Sequence, residues 1–251
     1  MTREDLEGLT ADHVFDGGAL DCGSGLVLLI RQNMQQVPEG GVLELRSLEA
    51  TVRDDLPPWC RMVGHAFLGE LEGSLPGQAR FFVRRGAGQE ARTEAAALEE
   101  DKTRARAYEW RLRARSSAAL ETTVYCRNFK WTLGQPASFE EQDAHPSAVE
   151  AALGALAADL VTGFSLACSR AGLQVDDLEA TAKGRLHDVM AHLGLEEGGD
   201  PSFAAIELKL FASTFDPEAQ VRALWEETVR RSPLAATFAK ATELTTKLAI
   251  V

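Results

Sequence analysis

The sequence is short of basic residues. Its 251 residues include 26 lysines and arginines against 38 aspartates and glutamates, which gives a formal net charge of −12 at pH 7. Residues 1–90 carry 8 basic and 14 acidic side chains, and the rest of the chain carries 18 and 24, so neither part is basic. Because nucleic acid would meet a surface of its own charge, the composition argues against a nucleic-acid-binding protein.

Cysteines and long apolar runs are also scarce. The four cysteines, at positions 22, 60, 126 and 168, are too scattered for a zinc ribbon or a CxxC pair and too few for a disulfide scaffold. Apolar runs such as 25–30 and 248–251 are too short to span a membrane, and the acidic start at residues 1–7 is not typical of a signal peptide. We therefore expect a cytoplasmic protein with reduced thiols, no membrane partner, no metal and no cofactor.

One stretch separates two parts of different pattern. Residues 86–105 lack aromatic side chains, have threonine as their only β-branched residue, and mix charges in an alanine background. This composition is typical of a solvated linker or an exposed helix. We predict a first domain at residues 1–86, a linker at 87–106 and a second domain at 107–251.

Both parts alternate strand and helix patterns, which predicts an α+β fold. In the first part, strands that include 13–16, 42–45 and 79–83 alternate with helical segments, and we interpret the pattern as the order β-α-β-α-β-β. In the second, strands at 108–115, 120–127 and 129–133 precede a long central helix at 146–171, followed by strands at 178–186 and 203–213 and a helix at 217–231. A last, partly apolar run reaches residue 251.

Cys22 stands between the first predicted strand and the first predicted helix. A thiol at a helix N-terminus faces free N–H groups and the positive end of the macrodipole, which favour the thiolate. Cys22 is therefore the candidate nucleophile, and the alternative is a packed free cysteine in a turn. Cys60 and His65 follow Pro57-Pro58 in the second predicted helix, but their spacing does not place them on one face, so we interpret both as structural.

The first part resembles a known family. The runs Leu20-Asp-Cys-Gly-Ser-Gly-Leu-Val-Leu-Leu29, Val37-Pro-Glu-Gly-Gly-Val-Leu-Glu-Leu45 and Trp59-Cys-Arg-Met-Val-Gly-His65 resemble the TusA (SirA-like) sulfur-carrier family over residues 8–86. The resemblance implies that Cys22 carries a persulfide and exchanges sulfur with donor and acceptor proteins. The family motif is Cys-Pro-x-Pro, and here Gly23 and Gly25 replace both prolines, which removes two rigid φ angles.

The second part resembles the OsmC/Ohr superfamily, from about residue 108 to the C-terminus. The resemblance lies in the segments Cys126–Pro136, Pro146–Phe164, Ala171–Glu179 and Ser232–Thr237. It implies an intertwined homodimer and hydroperoxide reduction by a peroxidatic and a resolving cysteine, with an arginine and a glutamate that stabilise the thiolate.

This sequence departs from that chemistry at the cysteines. By resemblance Glu150 matches the helix-start glutamate, Asp159 stands at the peroxidatic position and Ser232 at the resolving position, while Arg127 lines up with a basic residue of the preceding strand. A carboxylate cannot form the sulfenic acid that the reaction requires. A buried Asp159 needs an arginine partner or a proton, and Arg127 is the candidate partner for a binding pocket that also includes Glu150.

Three functions stay open at this point. The first is a sulfur-relay or thiol-redox protein, in which a carrier domain with Cys22 is joined to an OsmC-like domain without its peroxidatic cysteine. The second is a thiol-dependent hydroperoxide reductase whose nucleophile is Cys22, Cys126 or Cys168, although the last two are typical of buried structural thiols. The third is a non-catalytic dimeric ligand-binding protein.

Overall fold

The computed structural model describes residues 3–21, 25–86, 89–137 and 143–250. The chain divides into two compact units, one built from the residues up to Tyr108 together with Ser169–Gly172, the other from Glu109–Cys168 and from Leu173 onwards. Both units contain helices and strands, so the predicted α+β class is confirmed.

The first unit contains one four-stranded sheet and four helices. In chain order its elements are α1 (Arg3–Glu7), β1 (His13–Asp16), α2 (Leu26–Met34), β2 (Val42–Ser47), α3 (Val52–Met62), β3 (Ala66–Glu72), β4 (Ala79–Arg84) and α4 (Gln89–Arg106). The strand order is β1-β2-β4-β3, with β1 parallel to β2 and the other pairs antiparallel. Between β1 and β4 the unit follows the predicted β-α-β-α-β-β order.

The main core of the first unit lies between the sheet and the helices α2 and α3. The predicted apolar face of α2 is buried there, with Leu26 and Ile30 at 0% exposure, against sheet residues such as Leu43 and Phe81. A second, smaller cluster contains Leu6 of α1 and one residue from each of β2, β3 and β4, namely Val42, Leu71 and Phe82.

Two helical segments differ from the sequence interpretation. α3 begins at Val52 and contains Pro57 and Pro58, so it starts before the prolines, and His65 follows the helix instead of ending it. The stretch interpreted as a linker or an exposed helix is α4, which lies in the first unit. Its Leu98 is fully buried, and its Asp101 pairs with Arg31 of α2, so the helix has a packed face that its polar composition concealed.

The second unit contains two three-stranded sheets. Its elements are β5 (Arg113–Ala118), β6 (Glu121–Cys126), β7 (Phe129–Leu133), α5 (Ala148–Arg170), β8 (Asp177–Leu186), α6 (Val189–His192), β9 (Phe203–Ser213), α7 (Glu218–Arg231), α8 (Pro233–Ala241) and β10 (Glu243–Ile250). One sheet has the order β5-β6-β7 and the other β10-β9-β8. The predicted strand at 108–115 starts later, at Arg113, and the last apolar run contains α8 and β10.

The core of the second unit lies between α5 and the β10-β9-β8 sheet. Leu156, Leu160, Phe164 and Cys168, spaced four apart along α5, pack with Ile206, Leu208 and Leu210 of β9 and with Trp225 of α7. None of the residues of β5–β7 belongs to this cluster, and every residue of β5 is exposed. The β5–β7 sheet is therefore left without an apolar core among the residues that the structure describes.

One described helix, α5, is long and apolar enough to cross a membrane by length and composition alone, with a mean hydropathy of 1.6 over its most apolar window. The core helix of a soluble protein passes the same test, and one face of α5 lies in the core of the second unit.

Candidate functional site

The predicted nucleophile, Cys22, lies outside the described residues, between Asp21 and Gly25. The chain that leads to it leaves the carboxyl end of β1, and α2 begins at Leu26. Gly25, the N-cap residue of α2, has a φ of 103° and provides no side-chain cap, and the first turn of α2 contains no acidic residue. The positive N-terminal end of α2 is therefore not neutralised by a carboxylate of its own first turn.

The chain between β1 and Cys22 is fixed to the sheet at Gly18. Its N–H donates to Asp16 Oδ1 (2.8 Å), and its carbonyl accepts from Leu48 N (2.9 Å) and from Ser47 Oγ (3.2 Å). Gly18 has a φ of 60°, the left-handed region that favours glycine. The connection that carries Cys22 thus starts from a defined backbone position.

Cys60 and His65 are both buried in the first unit. His65 Nδ1 accepts a hydrogen bond from Gly86 N (3.1 Å), and the imidazole lies edge-on to the Trp59 ring. Burial, followed by the charge of Arg85, lowers the pKa of His65. Within the described ranges, no group of three or more His, Cys, Asp or Glu side chains could hold a metal ion.

In the second unit, the two residues predicted at the cysteine positions contact each other. Ser232 Oγ donates a hydrogen bond to Asp159 Oδ2 (2.5 Å), although the two residues are 73 positions apart. Ser232 is also the N-cap of α8, where its hydroxyl accepts from Ala235 N (2.9 Å). The structure therefore brings Asp159 and Ser232 together, and a binding role for the two residues stays a prediction.

Arg127 does not provide the predicted partner for Asp159. It lies in the turn between β6 and β7 with a φ of 53°, and its guanidinium stacks over the Phe129 ring at 5.5 Å. The partner that the structure gives Asp159 is the Ser232 hydroxyl. The described part of the chain contains no Arg127–Asp159 ion pair, since the hairpin holds Arg127 in an exposed turn, and a binding role for Arg127 stays a prediction.

The Glu150 side chain is hydrogen-bonded to Ser147 at the start of α5. Its carboxylate accepts from Ser147 N (2.7 Å), and its own N–H donates to Ser147 Oγ (3.2 Å), which together form a capping box. These two groups of Ser147 lower the pKa of Glu150, the backbone N–H more than the hydroxyl. Glu150 lies nine residues before Asp159, about 13 Å along the helix axis, so the two residues stand at separate points of α5.

Two clefts of the second unit lie away from these residues. One, of about 450 Å³, lies between α7 and β10 and includes Trp225 and Lys247, and the other, of about 310 Å³, lies on β8 and β9 and includes Asp177 and Phe211. Neither is lined by Arg127, Glu150, Asp159 or Ser232. The two clefts therefore give no support to a ligand pocket built from the predicted residues.

Cys126 and Cys168 are free thiols, and Cys168 is buried. Burial, with a smaller contribution from Asp216, raises the pKa of Cys168 to about 11, so this thiol is almost entirely protonated at neutral pH. Cys126 is half-buried at the end of β6, where it pairs with Phe129 across the hairpin. A protonated buried thiol is a poor nucleophile, which argues against peroxide chemistry at Cys168.

Two helix-start patterns are present in the sequence that the interpretation of the sequence did not use. Ser232 followed by Pro233 is typical of a helix start, with serine at the N-cap and proline at the first helical position, and it marks α8. Likewise, Ser147 and Glu150 have the spacing of a capping box. Both signals could have separated the structural roles of Glu150 and Ser232 from a role in binding.

Parts of this chain are similar to known proteins. The OsmC-like protein family matches residues 141–247. The sulfur carrier protein TusA of Pseudomonas savastanoi pv. phaseolicola is 31% identical over 67 residues, which cover 27% of this chain and 79% of that protein. The TusA of Pseudomonas entomophila is 30% identical over 64 residues, 26% of this chain and 79% of that protein. The crystal structure of an OsmC-like protein from Mycoplasma pneumoniae matches 57% of this chain and 98% of its own, with 14% identity and a TM-score of 0.49.

Proposed function

Because the chain belongs to the TusA sulfur-carrier family through its N-terminal region and has an OsmC-like domain at residues 141–247, we propose that it relays sulfur as a persulfide on Cys22. The observation that carries the proposal is the place of Cys22 in the chain, between the carboxyl end of β1 and the first turn of α2. The absence of an acidic residue from the described first turn of α2 supports a thiolate at Cys22.

The transfer step conserves atoms and electrons. The Cys22 thiolate attacks the outer sulfur of a donor protein's persulfide, a new S–S bond forms at Cys22, and the donor's S–S bond breaks to leave a donor thiolate. No net oxidation or reduction occurs, so the step needs no redox cofactor. An acceptor thiolate then removes the outer sulfur by the same exchange and regenerates Cys22.

In the OsmC-like half, we propose that Asp159 and Ser232 have replaced a thiol pair with a structural hydrogen bond. Neither oxygen side chain can pass through a sulfenic acid, and the raised pKa of Cys168 argues against a substitute on the same helix. This half then contributes assembly and not peroxide reduction. The free thiols of Cys126 and Cys168 support a reducing compartment, and we propose the cytoplasm.

The assembly that we propose is a homodimer formed by the second unit. The β5–β7 sheet exposes Leu120, Phe129 and Trp131, and a three-stranded sheet needs an apolar surface to pack on. From Arg113 to Leu133 the chain has four basic and one acidic side chain in a protein of net charge −12, so a second, acidic copy complements this sheet. α5 also exposes a set of small residues that allow close helix packing: Gly154, Ala155, Ala158, Thr162 and Ser165.

Light scattering coupled to size-exclusion chromatography tests the dimer. The wild type should elute with twice the mass of one chain, and Ala155→Arg should shift it to the mass of a monomer because a long charged side chain replaces a small exposed one. Ala219→Arg, at an exposed alanine of α7, is the matched control and should stay dimeric. A monomeric wild type would reject the assembly.

Sulfur transfer is tested by loading the protein with a cysteine desulfurase and isotopically labelled cysteine, followed by mass spectrometry of the peptide that contains Cys22. A wild-type peptide that gains one labelled sulfur atom supports the relay. The same peptide from Cys22→Ser should gain none.

A further inference from the structure

The side chain of Asp16, the last residue of β1, contacts two groups. Oδ1 accepts from Gly18 N (2.8 Å), and Oδ2 accepts from the amide nitrogen of Gln78 (3.1 Å). Gly18 is the residue where the chain turns out of the sheet with a φ of 60°. One carboxylate therefore links this turn to Gln78, the residue that precedes β4.

Gly18 is held from its other side by β2. Its carbonyl accepts from Leu48 N and Ser47 Oγ, and the preceding Gly17 N donates to Arg46 O (2.8 Å). Ser47 has an exposure of 1%. The backbone polar groups of Gly18 are thus satisfied in one conformation, four residues before Cys22.

Gln78 is buried and donates a hydrogen bond to Asp16. It has an exposure of 6%, its Nε2 donates to Asp16, and its Oε1 is buried without a hydrogen-bond partner in the described part of the chain. An unpartnered buried carbonyl is unfavourable. Space for the side chain comes from Gly73, since a Cβ there would lie 2.5 Å from Gln78 Oε1.

Burial also acts on Asp16. It raises the pKa of this carboxyl, although the Gly18 N–H and the charge of Arg46 act in the opposite direction. Both side chains are therefore partly or fully removed from water. Their hydrogen bonds fix the backbone of Gly18.

We infer that Asp16 is a positioning residue for the segment that carries Cys22, and that Gln78 fixes the Asp16 carboxylate. Asp16 acts through the backbone of Gly18 and does not take part in sulfur transfer. The importance of this role rests on the proposed function, but the inference itself concerns only the reactivity of the Cys22 thiol.

The experiment uses the full chain and measures the rate of alkylation of Cys22 by iodoacetamide from pH 6 to 10, with the cysteines separated by peptide mass spectrometry. Asp16→Ala and Gln78→Ala should lower the rate at pH 7 by about three- to tenfold and move the midpoint of the profile to higher pH, because Gly18, from which the chain continues to Cys22, loses the contact that Asp16 provides and Gln78 supports.

Asp16→Asn should keep a rate within about twofold of the wild type. The asparagine Oδ1 still accepts from Gly18 N, and a flipped Gln78 amide presents Oε1 to the asparagine Nδ2. Glu70→Ala is the matched control, because Glu70 is a carboxylate of the same sheet that pairs with Arg53. Its profile should be unchanged.

The inference is overturned if Asp16→Ala and Gln78→Ala keep the wild-type profile while their unfolding temperatures fall, which is the result of a purely structural role. If Asp16→Ala does not fold, Gln78→Ala and Asp16→Asn decide the question alone. Alkylation involves no sulfur donor. A wild type that never gains sulfur, combined with profiles that respond as expected, would reject the relay and keep the positioning role.

Discussion

Ser232 Oγ donates a hydrogen bond to Asp159 Oδ2, and this contact joins the middle of α5 to the first turn of α8. The same hydroxyl accepts from Ala235 N and so caps α8. At the two positions where the resemblance implies a reactive cysteine pair, the protein has a carboxylate and a hydroxyl that hydrogen-bond to each other and join two helices.

Removal of the Ser232 hydroxyl should destabilise the second unit. Ser232→Ala deprives α8 of its N-cap acceptor and Asp159 of its donor, and we expect a loss of about 1–2 kcal/mol in the free energy of unfolding. Urea denaturation followed by circular dichroism measures this loss. Ser74→Ala, at an exposed serine of the first unit, is the control and should change stability by no more than about 0.5 kcal/mol. Equal effects of the two variants would contradict the structural role.

Two cysteines at these positions should form a disulfide. In Asp159→Cys/Ser232→Cys, two side chains whose oxygens lie 2.5 Å apart are replaced by two thiols that face each other from the same positions. Mild oxidation should remove two thiols per chain, and peptide mapping should locate the bond between positions 159 and 232. Each single variant should keep its new thiol under the same conditions. A double variant that stays reduced would show that α5 and α8 are not held as described.

The capping box of α5 should make stability depend on pH. Because the Ser147 N–H and hydroxyl lower the pKa of Glu150 in the folded chain, its carboxylate stabilises the fold above the unfolded pKa, and this contribution is lost as the pH falls through the folded value. At pH 7, Glu150→Ala should lower the free energy of unfolding by about 0.5–1 kcal/mol. Glu150→Gln, which keeps an acceptor, should approach the wild type at low pH. A constant difference between pH 7 and pH 3 would contradict this.

Cys168 should resist alkylation in the native protein. With a pKa of about 11, its thiolate fraction at pH 8 is about 0.1%, so iodoacetamide should modify it at least about a hundredfold more slowly than an ordinary thiol. Modification should become complete in urea. The half-buried Cys126 is the internal reference. Rapid native modification of Cys168 would reopen a peroxidatic role for this residue.

The elements with strong periodicity could be predicted from the sequence. The alternating strands of the first part and the apolar face of α2 were identified because their patterns repeat over several residues. α4 was interpreted as a linker or an exposed helix because its apolar content is low, and Leu98 is the buried residue that the composition concealed.

The candidate site was predictable only where a resemblance supplied positions. Asp159 and Ser232 were paired by position along the chain, and their hydrogen bond could not be derived from spacing because it depends on how α8 returns to α5. The contact of Arg127 could not be derived from the sequence for a similar reason. The sequence places it next to a strand end, and the left-handed turn that directs it to Phe129 is a property of the folded hairpin.

The most direct test of the sulfur-carrier function is the mass of the Cys22 peptide after incubation with a cysteine desulfurase and labelled cysteine. We expect this peptide to gain one labelled sulfur atom, which reductant removes. The peptides with Cys60, Cys126 and Cys168 should gain none. A Cys22 peptide that never gains the label, in a protein whose Cys22 still reacts with iodoacetamide, would contradict the sulfur-carrier function.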